Sequence, residues 1–253
     1  MSPSWLECLT LLVHPRRIVI ERRPRRGTPS RKMTEFATPA DLPTVLAAVR
    51  DLLASEGRFG AELRVIVADP LVRYVLLPWS PLVSGRKARL EMARALLQHA
   101  LGARAVALEI ALDRPVYGQK GIAAGIERSL LAELRACARQ RRLRLTSVQP
   151  ALLAELAARG KDLDDGWLAV IDDGWLALLG VREGQPACLR NHRVATADVA
   201  TLGVELAGLL TAEAAAVDGN KVLISSDQML PASLPGAWSL APSRPLAWRA
   251  DHA

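Results

Sequence analysis

Hydrophobic and polar positions alternate most clearly between Glu62 and Ser80. Leu63, Val65 and Val67 flank Arg64 and Ile66, Asp69-Pro70 interrupts, and Val72, Tyr74 and Leu76 then alternate with Arg73, Val75 and Leu77 as far as Pro78. Period-two alternation with β-branched and aromatic residues predicts strands, and Asp-Pro is turn chemistry, so this stretch predicts a β-hairpin. Gly166 to Leu189 repeats the plan, with turns predicted at Asp172-Asp173-Gly174 and Glu183-Gly184.

The other elements follow in order. Two short strands turning at His14-Pro15 precede an Arg/Pro/Gly/Ser loop over 22–30 and a third strand near Lys32 to Ala37. Asp41 caps a helix to about Ser55 whose apolar face is Leu42, Val45, Leu46, Val49 and Leu53, at three- and four-residue spacing. A helix capped by Ser84 runs to Gly102, and a strand covers Ala105 to Leu112. Ile122, Ile126, Leu130, Leu134 and Cys137 then predict the longest helix, 122–141. A strand over Leu143 to Val148, a short helix over 150–158, a polar linker at Gly160-Lys161-Asp162, a helix over 196–216 and a strand over 221–225 complete the regular part. Pro231, Pro235, Pro242 and Pro245 predict an extended tail, ordered where Trp238 and Trp248 pack. Strand-rich segments alternating with helices, in a plan that repeats, predict an α/β protein built on mixed sheets.

Composition narrows the class. No stretch approaches the roughly 18 consecutive apolar residues of a membrane span, and the N-terminal apolar run lacks a basic region before it, so neither a span nor a signal peptide is expected and the chain reads as cytosolic. Cys8, Cys137 and Cys188 are odd in number and far apart, which fits neither a disulfide framework nor a metal site. The four histidines never fall at ligand spacing. Of the net charge of +7, five units sit in the first fifty residues, which hold nine Lys and Arg against four acids. Such a segment suits nucleic acid, an acidic partner or anionic lipid. No aromatic residues interleave its arginines as a base-stacking platform requires, so a solvated loop is the plainer reading.

Three chemistries were weighed on the residues. Nucleotide hydrolysis on an actin-like plan needs turns whose N–H groups face phosphate. His14-Pro15-Arg16-Arg17 has no glycine and no acid, and in Asp172-Asp173-Gly174 a tryptophan and a leucine follow where hydroxyls are wanted. No phosphate-binding loop motif occurs elsewhere. A two-metal nuclease would need converging carboxylates, but Asp69, Asp113, Asp172 and Asp173 all fall where turns favour aspartate. Ser225-Ser226-Asp227 with scattered histidines makes no nucleophile site. No catalytic residue, cofactor or metal is assigned.

From Leu63 to Leu210 the chain resembles the family of PilM, the actin-like protein of type IV pilus assembly, and the cytoplasmic domain of GspL in type II secretion. The likeness lies in RVIVADPLVRYVLLPW, IERSLLAELRACARQRRLRLTSVQPALLAEL and GWLAVIDDGWLALLGVREGQPACLRNHRV, in that order. It implies an actin-like, ribonuclease-H-like fold of duplicated mixed sheets whose second half is truncated. The first half would be 1–158, with a small inserted subdomain around 62–113; 159–230 would be the shortened second half and 231–253 a Pro/Trp tail. The family's phosphate loops are replaced by His14-Pro15-Arg16-Arg17 and by the degenerate Asp172-Asp173-Gly174, so a pseudo-ATPase is expected.

The resemblance further implies a non-enzymatic scaffold at the cytosolic face of the inner membrane. It would hold the tail of a bitopic PilN-like protein, with an assembly ATPase and a homodimer as further partners. Arg73, Pro78 and Trp79 are the expected partner contacts, and Arg16, Arg17, Arg22, Arg23, Arg25 and Arg26 the expected contacts to membrane or an acidic partner. An actin-like ATPase is the first alternative, and nucleic-acid binding through the basic segment the second.

Overall fold

The computed structural model describes residues 7–24, 28–56, 60–83, 85–113, 116–159, 163–194, 198–226, 230–241 and 246. Strands β1 (Cys8–His14), β2 (Arg17–Arg23) and β3 (Ser30–Glu35) form an antiparallel meander. Helix α1 (Leu42–Glu56) leads to β4 (Glu62–Val67), which lies parallel to β1. Asp41 caps α1 as expected, its Oδ1 accepting from the Thr44 N–H at 3.0 Å.

The chain then departs from the predicted hairpin. After a single 3₁₀ turn over Asp69–Leu71, β5 (Val72–Leu77) joins a different sheet from β4. Both edges of β4 are already taken, one by β1 and the other by β8 (Arg144–Pro150), so β5 has no edge of β4 on which to pair. The alternation of residues 62–77 is a true strand signal on both sides of Asp69-Pro70, and only the pairing is non-local.

Helix α2 (Arg86–Leu101), β6 (Leu108–Leu112) and β7 (Gly121–Glu127) follow, and β7 lies between β5 and β6 in a three-stranded sheet. The long helix expected over 122–141 is therefore β7 followed by α3 (Arg128–Gln140). Ile122 and Ile126 mislead because a spacing of four is even. It returns to the same face of a strand as readily as to the same face of a helix. Small residues settle the matter: a Cβ on Gly125 would approach Leu108 Cδ1 to 2.9 Å, and Ala123 packs with Leu77 and Ala93. Ser84, the expected cap of α2, lies outside the described residues, and α2 ends at Gly102, which has a positive φ of 61°.

Beyond α4 (Ala151–Arg159), the first plan recurs. Strands β9 (Gly166–Asp172), β10 (Trp175–Arg182) and β11 (Gln185–Arg193) form a meander. Helix α5 (Val199–Ala212) leads to β12 (Lys221–Ser226), parallel to β9, and β13 (Ser239–Leu240) pairs parallel to β12. The two sheets read β3-β2-β1-β4-β8 and β11-β10-β9-β12-β13, the same order and polarity twice. The fifth strand has seven residues in the first sheet and two in the second.

The chain divides into two compact units, Met1–Val72 with Ile126–Ala151, and Arg73–Gly125 with Leu152–Ala253. In the second, all seven residues of β9 are buried, as befits a strand flanked by β10 and β12 and covered by α5 through Leu202, Leu206 and Leu210. Trp167 lies over Gly180, where a Cβ would come within 2.8 Å of its ring. The tail docks there: Trp238 meets Trp167 edge to face at 6.4 Å. Trp248 lies outside the described residues.

A buried polar clasp ties α4 to the end of β12. Ser225 Oγ donates to Glu155 Oε2 at 2.7 Å and accepts from Arg159 Nη1 at 2.6 Å, and the same Nη1 reaches the Ile224 carbonyl at 2.9 Å. Replacing Ser225 with Ala removes the hydroxyl that links two buried charged groups. It should lower unfolding stability by about 1–3 kcal/mol, read as a lower urea midpoint at unchanged m-value.

Candidate functional site

The two meanders place their first turns at equivalent points of the two sheets, where this topology could present backbone to an anion. In the first, Pro15 and Arg16 are the two turn residues between His14 and Arg17. Pro15 has no N–H, and the Arg16 N–H donates to His14 Nδ1 at 3.0 Å. The Pro15 and Arg16 carbonyls accept from Ala40 and Phe36 at 2.7 and 2.8 Å. Neither turn residue offers an amide to a ligand.

The second turn is another tight one. Asp173 and Gly174 have φ of 44° and 79°, the doubly left-handed pair of a type I′ hairpin for which Asp-Gly is suited. The Gly174 carbonyl accepts from Val194, and Arg193 sits over the Trp175 ring at 5.9 Å. Asp172 is buried on β9. Two residues cannot supply the run of successive N–H groups that cradles a phosphate. The next turn, Glu183-Gly184, has the same geometry (φ 53° and 69°), and its N–H groups are held by Asp165 Oδ1 and the Asp164 carbonyl.

Among the described residues, no three His, Cys, Asp or Glu side chains gather as a metal-binding group. Cys137 and Cys188 are buried, and burial, reinforced by Glu133 and Glu213 respectively, pushes each thiol up to about 11. Both therefore stay protonated near neutral pH, as small apolar core residues do.

The expected basic surface is more engaged than the sequence suggests. Arg16, Arg17, Arg22 and Arg23 are each half-buried, on or beside β2 in the interior of its sheet, and Arg22 pairs with Glu7. Arg25 and Arg26 lie outside the described residues.

The expected partner contacts gather only in part. Pro78 and Trp79 line a groove of about 160 Å³ together with Leu77, Arg89, Val116 and Tyr117. Arg73 is exposed on β5, away from that lining. Trp79 and Tyr117 meet edge to face at 5.3 Å. One wall is fixed by Asp113, whose Oδ1 accepts from Arg89 Nη2 at 2.9 Å and whose Oδ2 accepts from the Ile122 N–H at 2.8 Å. Gly121 leaves room for this pair, since a Cβ there would collide with Arg89 Nη2. Val116, Tyr117 and Arg89 escape sequence reasoning, because Tyr117 belongs to a loop without periodicity and Arg89 reads as an ordinary solvated helix residue.

The sequence matches no protein-family model and no curated protein. In three dimensions it is similar to the cytoplasmic domain of EpsL, an inner-membrane component of the type II secretion system of Vibrio cholerae. That alignment has a TM-score of 0.57 at 12% identity, over 94% of this chain and 89% of that one. A Bacteroides thetaiotaomicron protein with an actin-like ATPase fold aligns at 0.61 and 10% identity, over 90% and 84%. A PilM–PilN type IV pilus biogenesis complex aligns more loosely, at 0.47 and 20% identity over 82% and 68%, and no conclusion rests on it. The chain thus has the actin-like fold, and its expected PilM/GspL likeness is met in fold by the EpsL domain.

Asp113→Ala removes the acceptor of both the Arg89 guanidinium and the Ile122 amide. It should cost about 1 kcal/mol for these partly exposed bonds and speed hydrogen exchange at Ile122 well beyond that at β9 amides.

Proposed function

We propose that the chain is a non-enzymatic scaffold of an inner-membrane assembly platform of the type IV pilus or type II secretion kind, standing at the cytosolic face of that membrane. It holds the cytoplasmic tail of a bitopic PilN-like protein, and an assembly ATPase and a second copy of the chain are further partners of the same platform. The observation that carries this reading is a near end-to-end likeness to a secretion-system cytoplasmic domain, in a chain whose first meander turn offers no free amide and whose second is only two residues long. The groove beside β5 suits a tail: an extended segment crossing it buries an apolar side chain between Pro78, Trp79 and Tyr117.

Co-purification with a bitopic PilN-like membrane protein tests the proposal. Binding should vanish when that partner's tail is deleted. It should weaken by about 2 kcal/mol, some thirtyfold, in Trp79→Ala, the change expected for losing an aromatic anchor. Undiminished binding to the tail-deleted partner would overturn the assignment.

A second reading, an actin-like ATPase, is favoured by the fold itself. Calorimetric titration with magnesium and ATP separates the two. The scaffold reading expects no heat at millimolar nucleotide, and micromolar binding would refute its nucleotide-free form.

A further inference from the structure

We propose that the outer end of the three-stranded subdomain, formed by residues 79–83, 85–87 and 116–120, docks on an anionic phospholipid bilayer. Seven large hydrophobic side chains are exposed among the described residues, and four of them stand here: Trp79 at 39%, Leu82 at 90%, Val116 at 53% and Tyr117 at 87%. Scattered exposed apolar residues need no explanation, but a cluster on one small subdomain does.

Cations flank these residues in sequence. Arg86, Lys87 and Lys120 are exposed, whereas Arg89 is paired with Asp113. No acidic residue occurs between Trp79 and Leu90. Residues 73–120 as a whole carry eight Lys and Arg against three acids, so this region matches the first fifty residues with +5. Unlike the half-buried arginines of the β1–β2 region, Arg86, Lys87 and Lys120 reach solvent.

The mixture of Trp, Tyr and Leu with Lys and Arg is the set that partitions to the headgroup zone, where rings and aliphatic tips meet acyl chains and cations meet phosphates. A peptide seated in the groove would leave Leu82 in water, since it is not among the groove-lining residues. Bases have no parallel pair of rings to stack on, because Trp79 and Tyr117 meet at 72°. The surface stands independently of the tail-binding proposal, although a tail leaving the bilayer would emerge beside it.

Flotation of the whole chain with vesicles tests this without any partner protein, so its outcome is separate from that of the tail experiment. The chain should float at low salt with phosphatidylcholine vesicles containing about 30% phosphatidylglycerol, and neither at high salt nor with pure phosphatidylcholine. Arg86→Ala with Lys87→Ala should weaken binding about 25-fold, at about fivefold per charge. Leu82→Ser with Tyr117→Ser should also weaken it while leaving the melting curve unchanged, because both side chains are exposed. Brominated lipid should quench tryptophan emission, and Trp79→Phe should remove that quenching. Failure to float, or flotation unaltered in both double variants, would overturn the proposal, as would capture by polyglutamate or duplex DNA in place of vesicles.

Discussion

A strand has two hydrogen-bonding edges, and in this protein the central strands spend both on partners distant in sequence. β4 lies between β1 and β8, and β9 between β10 and β12. β9 is also covered by α5 and is buried from end to end, whereas β4 keeps Arg64 exposed. The same saturation forces the chain out of the first sheet after Val67. With no edge left on β4, the segment past Asp69-Pro70 founds a new sheet and returns through α3 to add β8. The three-stranded sheet and its aromatic groove are consequences of that exclusion.

Tight turns have the opposite economy. A two-residue turn holds a meander together but offers at most two amides, short of the run of successive N–H groups that cradles a phosphate. Pro15 and the His14 imidazole close off the first turn, and the second is the left-handed Asp173-Gly174 pair. Elsewhere the Glu155–Ser225–Arg159 clasp ties α4 to β12 without any residue of those turns. An exposed aromatic pair stands instead beside the three-stranded sheet, where Trp79 meets Tyr117 edge to face.

Much of the fold was readable from residue order: the β1–β2 turn, the capped α1, the β9–β11 meander, α5 and β12 all lie within a few residues of where periodicity put them. Resemblance supplied the actin-like duplication, and the repeated strand order bears it out. Less of the site was readable. Pro78 and Trp79 could be singled out, but Tyr117 and Arg89, which complete their groove, come from a loop and a helix some ten to forty residues away.

The sequence by itself determined which segments are extended, which are helical and which turns carry proline or glycine, because period, capping and the presence of proline or glycine are local properties. Tertiary structure alone decided that 62–80 is two strands of two sheets, that Ile122 and Ile126 belong to a strand, and that four exposed apolar side chains share one end of the insertion. Those outcomes depend on which edges remain open once distant strands have paired, and a spacing of four residues cannot report that.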